Sequence, residues 1–152
     1  MTTDTAQSSL HKVRTQAHFN CAVCGSWNAR GLGLDFTLSE DGGVQACFCC
    51  GKDFEGYAGL LHGGVIATVL DGAMTNCMFA HGCPSVTAEL NVRFRHPVVT
   101  DTAATVRAWI DRSEPPLHVL KAQIVQDGQV KATSLGKFME QPRITTSRDE
   151  TT

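Results

Sequence analysis

Within the run HGGVIATVLDGAMTNCMFA, from His62 to Ala80, one acid stands among apolar neighbours. Removing an ionised carboxylate from water is costly unless it is paired or faces a cavity, so Asp71 is either a buried structural acid or a working one. At about 100° per residue on a helix, Gly64, Thr68, Asp71 and Thr75 fall on one narrow stripe. An ordinary Asp, with a pKa of about 3.9, is ionised at neutral pH. It can attack an acyl carbon or take a proton from water. Gly63 and Gly64 have no side chains, so a ligand can approach their backbone. The first N–H groups of a helix lack internal partners and carry the positive end of its dipole. Together they can hold an oxyanion forming on a carbonyl, as hydrolysis of a thioester requires. The competing reading of the two glycines is close helix packing. His62 can serve as acid or base, but its place at the helix start favours an N-terminal cap. Thr75, one turn after Asp71, and Thr87 are ordinary polar residues of which one is expected to assist the acid.

Gly63 and Asp71 are eight residues apart, about 12 Å along a helix. An Asp side chain leans toward the N-terminus but does not span that gap. One helix therefore cannot present both groups to the same carbonyl, whereas two antiparallel copies can. The chemistry implies a site shared between subunits and an obligate dimer.

The flanking pattern must supply a frame for this helix. Gly31–Leu38 alternates and reads as a strand, and Val44–Cys50 as a second strand after the Asp41-Gly42-Gly43 turn. Gly82 and Pro84 end the helix. Val86–His96 alternates strictly, with Ala88, Leu90, Val92 and Phe94 on one face and Thr87, Glu89, Asn91, Arg93 and Arg95 on the other. Ala103–Asp111, Leu117–Gln126 and Val130–Met139 follow, the last two joined by an Asp127-Gly128 turn. Two strands, one long helix that is apolar nearly all round, and four strands predict an α+β domain whose sheet wraps the helix. Residues 1–18 and 142–152 are polar and read as loosely ordered segments flanking a domain at 19–141.

Bulk properties agree with one globular domain. The chain has 152 residues, 42% hydrophobic and 18% charged, with a formal net charge of -2, long enough for a core without disulfide staples. There is no basic run to bind nucleic acid. The N-terminus has no apolar core of a secretory signal, and no apolar run approaches the length of a membrane span. The seven cysteines are read as free thiols in a cytoplasmic protein. Cys21-x-x-Cys24 has zinc-ligand spacing that Cys47, Cys49 and Cys50 could complete, yet packed thiols are the default and no metal is expected. His81, His96 and His118 show no ligand spacing. Arg93, Arg95 and Lys131 could meet phosphates or simply face solvent. Tyr57 and Trp27 are candidates to line a pocket.

The stretches CAVCGSWNARGLGLDF (Cys21–Phe36), LHGGVIATVLDGAM (Leu61–Met74) and PSVTAELNVRFRHPV (Pro84–Val98) resemble the hotdog-fold acyl-CoA thioesterases of the phenylacetate-degradation type, over about residues 20 to 140. The resemblance implies an antiparallel sheet wrapped around one central helix, and protomers paired as a homodimer or homotetramer with sites at the interface. It implies an acyl- or aryl-CoA substrate, release of free acid and CoA, and no cofactor. It assigns the oxyanion N–H to Gly63 and the base or nucleophile to Asp71, with a water-holding hydroxyl at Thr87 or Thr75. Relatives that place an Asn or Gln shortly before the motif are matched here by Glu55-Gly56-Tyr57. The rival expectation is a non-catalytic binder of acyl-CoA or another small ligand on the same fold. A third is a zinc-stabilised module built on Cys21 and Cys24.

Overall fold

The computed structural model describes residues 2–145. The polar N-terminal segment is a helix, α1 (Thr3–Ala17), capped by the Thr2 hydroxyl, which accepts from the Thr5 N–H. This corrects the expectation of a loosely ordered segment over 1–18. Leu10 and Val13, at i and i+3 on one face of an otherwise polar helix, are both buried, and burying two such side chains is enough to dock α1 on the core. Of the C-terminal tail, Pro142–Thr145 forms a 3-10 turn, and residues 146–152 lie outside the described residues.

The expected strand over Gly31–Leu38 shrinks to β1 (Thr37–Leu38). The residues before it are held as an irregular loop, with Leu32 and Leu34 N–H donating to the Ala22 and Val23 carbonyls. Local hydrogen bonds replace a ladder there. The other elements match the pattern: β2 (Val44–Phe48), α2 (Gly63–Ala80), β3 (Ser85–Phe94), β4 (Ala104–Glu114), β5 (Leu117–Gln126) and β6 (Gln129–Glu140). The six strands form one antiparallel sheet in the order β1-β2-β4-β5-β6-β3. α2 packs against β2 through β6 and against α1, the hotdog arrangement.

α2 is an 18-residue helix apolar enough to cross a membrane by length and composition, which corrects the reading that no apolar run approaches a span. Here its apolar surface is taken up by the sheet: Ile66, Val69, Leu70 and every residue from Gly72 to Ala80 are buried. Gly136 on β6 is what allows this approach, because a Cβ there would stand 2.8 Å from Phe138 and 3.0 Å from Met74.

β3 is not the strictly alternating strand that its sequence suggests. A bulge between Thr87 and Glu89 interrupts the register with β6. Thr87 pairs with Phe138 and Leu90 with Gly136, both on the helix-facing side of β6, so the extra residue puts Thr87 and Leu90 on the same face. β3 lies at the sheet edge.

Candidate active site

The bulge brings Thr87 to the acid. Its hydroxyl donates to Asp71 Oδ1 at 2.6 Å. The two hydrogen-bonded residues sit where the polar stripe of α2 emerges from the sheet: Gly64 and Thr68 are exposed and Asp71 is half-buried. Burial raises the Asp71 carboxyl above its ordinary value, and the Thr87 hydrogen bond opposes this.

Thr75 and Thr68 do not point at the carboxylate. Each hydroxyl donates to the carbonyl one turn back, Thr75 to Asp71 at 3.0 Å and Thr68 to Gly64 at 2.8 Å. Of the two threonines singled out in the sequence, only Thr87 meets the acid.

At the N-terminus of α2, two turns before Asp71, His62 is the N-cap, and its Nδ1 accepts from the Gly64 N–H at 2.8 Å. That bond leaves the neutral ring's proton on Nε2. It also uses the Gly64 N–H, one of the two candidate oxyanion donors. The Gly63 N–H donates to no described residue. Packing within the chain does not require glycine at 63, because an added Cβ would meet only the Phe94 ring, at 3.5 Å. Gly63 opens instead onto a groove of about 680 Å³ whose lining includes Tyr57, Leu61, Ile66, Phe94 and Arg95. Asp71 does not line this groove, in keeping with the axial separation.

Glu55, where relatives place an amide, is engaged elsewhere: its carboxylate accepts from the Thr100 hydroxyl at 3.1 Å. Tyr57 stands at the groove mouth, 85% exposed. Trp27 packs edge-on against Phe19 instead. Arg93 and Arg95 are exposed, Lys131 is half-buried, and none of the three makes an ion pair with a described residue.

Two groups of potential metal ligands occur among the described residues. One is His18, Cys21 and Cys24. Cys47 and Cys49, the thiols expected to complete such a set, are exposed on β2 and its end, and neither they nor Cys50 join it. His18 escaped the sequence reading because it lies three residues before Cys21, outside the Cys-x-x-Cys pattern. The other group, Cys83, His118 and Glu140, is already satisfied by hydrogen bonds. His118 Nε2 meets Glu140 Oε1 at 2.7 Å and Nδ1 meets the Ser113 hydroxyl at 2.5 Å.

Comparison with known proteins extends the picture. The matching stretch in bovine acyl-coenzyme A thioesterase THEM4 is 31% identical over 87 residues, 55% of this chain and 35% of that protein. Its rat counterpart is 28% identical over the same length. The chain thus spans about a third of the length of these curated relatives. Among solved structures, a thioesterase superfamily protein superposes with a TM-score of 0.74 at 25% identity, covering 78% of this chain and 62% of the other. The Escherichia coli PaaI protein of the phenylacetic acid degradation operon superposes at 0.76 and 17% identity, covering 91% and 95%, and shares the fold. A Streptococcus mutans protein bound to acetyl CoA does so at 0.66 and 16% identity, covering 71% and 88%. The family model of the thioesterase superfamily matches residues 58–133, half of the chain, running from the groove through α2 and the bulged strand, and the chain belongs to that superfamily.

Proposed function

We propose that the protein hydrolyses acyl- or aryl-CoA thioesters at a site shared by two copies of the chain. The observation that carries this reading is the pair of groups on α2, one at its N-terminus and one at its middle. One is a half-buried carboxylate held by Thr87; the other is an uncommitted Gly63 N–H opening on a groove. Family membership and the acyl-CoA thioesterase name of the partial relatives support it.

In this mechanism the thioester lies in the groove with its carbonyl oxygen against the Gly63 N–H. Asp71 of the second copy takes a proton from water as the water oxygen attacks the carbonyl carbon. The negative charge that develops on the carbonyl oxygen is met by the N–H and the positive end of the helix dipole. When the tetrahedral intermediate collapses, the C–S bond breaks, free acid departs, and the CoA thiolate takes up the proton from Asp71. The step consumes one water and needs no metal or redox group. Direct attack by Asp71, through an acyl-enzyme anhydride, uses the same geometry. Single turnover in 18O-water tests for the anhydride, because its hydrolysis at the Asp71 carboxyl carbon leaves label in the Asp71 carboxylate and the general-base route never does. Arg95, on the groove rim and free of an ion pair with described residues, is placed to meet a CoA phosphate.

The exposed edge of β3 supports the pairing. A ten-residue edge strand with unpaired backbone groups invites a partner, and Val86 and Phe94 on it are exposed. A cytoplasmic location is part of this reading, since free thiols persist in a reducing compartment.

The test is thiol release from a panel of acyl- and aryl-CoAs by the wild type and Asp71→Asn in parallel. Turnover of one class, lost in the variant, is the expected outcome. If the wild type binds CoA esters and turns over none, the protein is a ligand-binding member of the superfamily.

A further inference from the structure

The segment between α1 and β1 is built to a tighter specification than its lack of regular structure requires. Cys21 to Gly25 form a compact knuckle. The Val23 N–H donates to Cys21 Sγ at 3.3 Å, and the Gly25 N–H donates to the Cys21 carbonyl at 3.0 Å. Only glycine fits at 25, because a Cβ there would lie 2.3 Å from the Cys21 nitrogen. The knuckle is pressed on α2 at Gly72, where a Cβ would stand 2.6 Å from the Val23 side chain. From α2, the Asn76 amide donates to Cys24 Sγ at 3.4 Å. Its Oδ1 is buried with no partner among the described residues, a rarity that asks for a missing donor. From the end of α1, His18 brings Nδ1 to 3.7 Å from Cys24 Sγ, its ring held edge-on by Phe79.

The His18, Cys21 and Cys24 ligand atoms all lie within 4.8 Å of one another. Tetrahedral zinc, with about 2.3 Å to sulfur and about 2.0 Å to nitrogen, sets a sulfur and a nitrogen ligand about 3.5 Å apart and two sulfurs about 3.8 Å apart. The cluster therefore needs only a small contraction to close on an ion. Backbone and amide N–H groups aimed at sulfur stabilise thiolate charge and orient ligands, as outer-shell partners of a metal do. A disulfide would leave both donors facing a neutral sulfur and His18 without a role.

We propose that His18, Cys21 and Cys24 bind one zinc ion, with water in the fourth position, and that the ion fastens α1 and the knuckle to α2 beside Asp71. Binding converts two thiols to thiolates and releases two protons. No electron moves. The ion is a structural tie, independent of the hydrolytic reading.

The test uses the full chain, stripped of metal under reducing conditions and titrated with Co2+. One Co2+ per chain is expected, with thiolate-to-metal charge transfer and the d–d bands of a tetrahedral site, both displaced by Zn2+. Zinc should shield two of the seven thiols from N-ethylmaleimide, and peptide mapping should place them at Cys21 and Cys24. Cys24→Ser should abolish the bands and the shielding, and Cys83→Ser should leave both intact. If Cys24→Ser does not fold, the wild-type shielding map and His18→Ala, which should weaken Co2+ binding at least tenfold, decide the matter. Absence of a tetrahedral spectrum overturns the proposal. So does shielding at Cys47, Cys49 or Cys83 instead, or a Cys21–Cys24 disulfide in the chain as purified.

Discussion

At Asp71 two environmental effects oppose each other: burial raises the carboxyl and the Thr87 hydroxyl holds it down. Removing Thr87 takes away the largest effect that opposes burial, so Thr87→Val should move the acid limb of the kcat/KM profile to higher pH. An unmoved limb would show that Thr87 does not tune the acid. The stability consequence has a definite sign. The folded chain holds the Asp71 proton more tightly than the unfolded chain. The contribution is therefore fully present below the unfolded value, about 3.9, and is lost as pH rises through the raised folded one. Asp71→Asn should then lose turnover by about 10²- to 10⁴-fold while unfolding at a higher denaturant concentration than wild type at pH 7. That advantage should shrink toward acid pH. A variant less stable than wild type at both pH values would mean that the carboxylate is a structural acid. Gly63 permits a cleaner probe of the oxyanion donor. It is the first residue of α2, its N–H is uncommitted, and His62 before it is already extended, at φ -61° and ψ 135°. Proline is tolerated there. Gly63→Pro should keep the fold and lower kcat by about 10²- to 10³-fold; full activity would remove the N–H from the mechanism.

Among the elements, α1 and β3 diverge most from their sequence patterns. α1 is polar along most of its length, and its apolar attachment is Leu10 and Val13, joined by the Ser9 hydroxyl on the Phe79 carbonyl, the Gln7 amide oxygen on the Leu38 N–H and the Arg14–Asp35 ion pair. Leu10→Ala should cost about 2–5 kcal/mol in urea unfolding. A cost near zero would mean that α1 is not docked on the core in solution. β3 alternates over Val86–His96, and a regular strand with that alternation puts Thr87 on the face away from α2. One extra residue in the ladder reverses it. No residue in TAELNV announces the bulge, because the register of β3 is set by its pairing with β6. By contrast, α2 and the strands β4 to β6 were legible. Their periodicities are long, and the turn residues at Asp127-Gly128 bound the last hairpin, where both positions have positive φ.

For the whole molecule, the outstanding prediction is a site completed by a second copy. Gly63→Pro and Asp71→Asn each damage one half of every site in a homodimer. Mixed and re-associated at equal concentration, they should regain about a quarter of wild-type activity, since half the dimers are mixed and each has one intact site. No recovery, in dimers shown to exchange subunits, would place both groups in the same chain. Spacing alone led to this expectation: eight residues on one helix separate the donor from the acid, and helix geometry is indifferent to context. The wrapped-helix architecture, the half-buried setting of Asp71 and the His62 cap followed likewise from local pattern, because period, apolarity and end chemistry are carried by neighbouring residues. The choice of Thr87 over Thr75 did not. Thr75 is nearer in sequence but binds its own helix, and Thr87 reaches the acid through a bulge fixed by another strand. Nor did the meeting of His18 with Cys24, or the loss of the Gly64 N–H to the His62 ring. Each of these depends on where two segments come to rest against each other, which is settled by packing, not by the residues on either side.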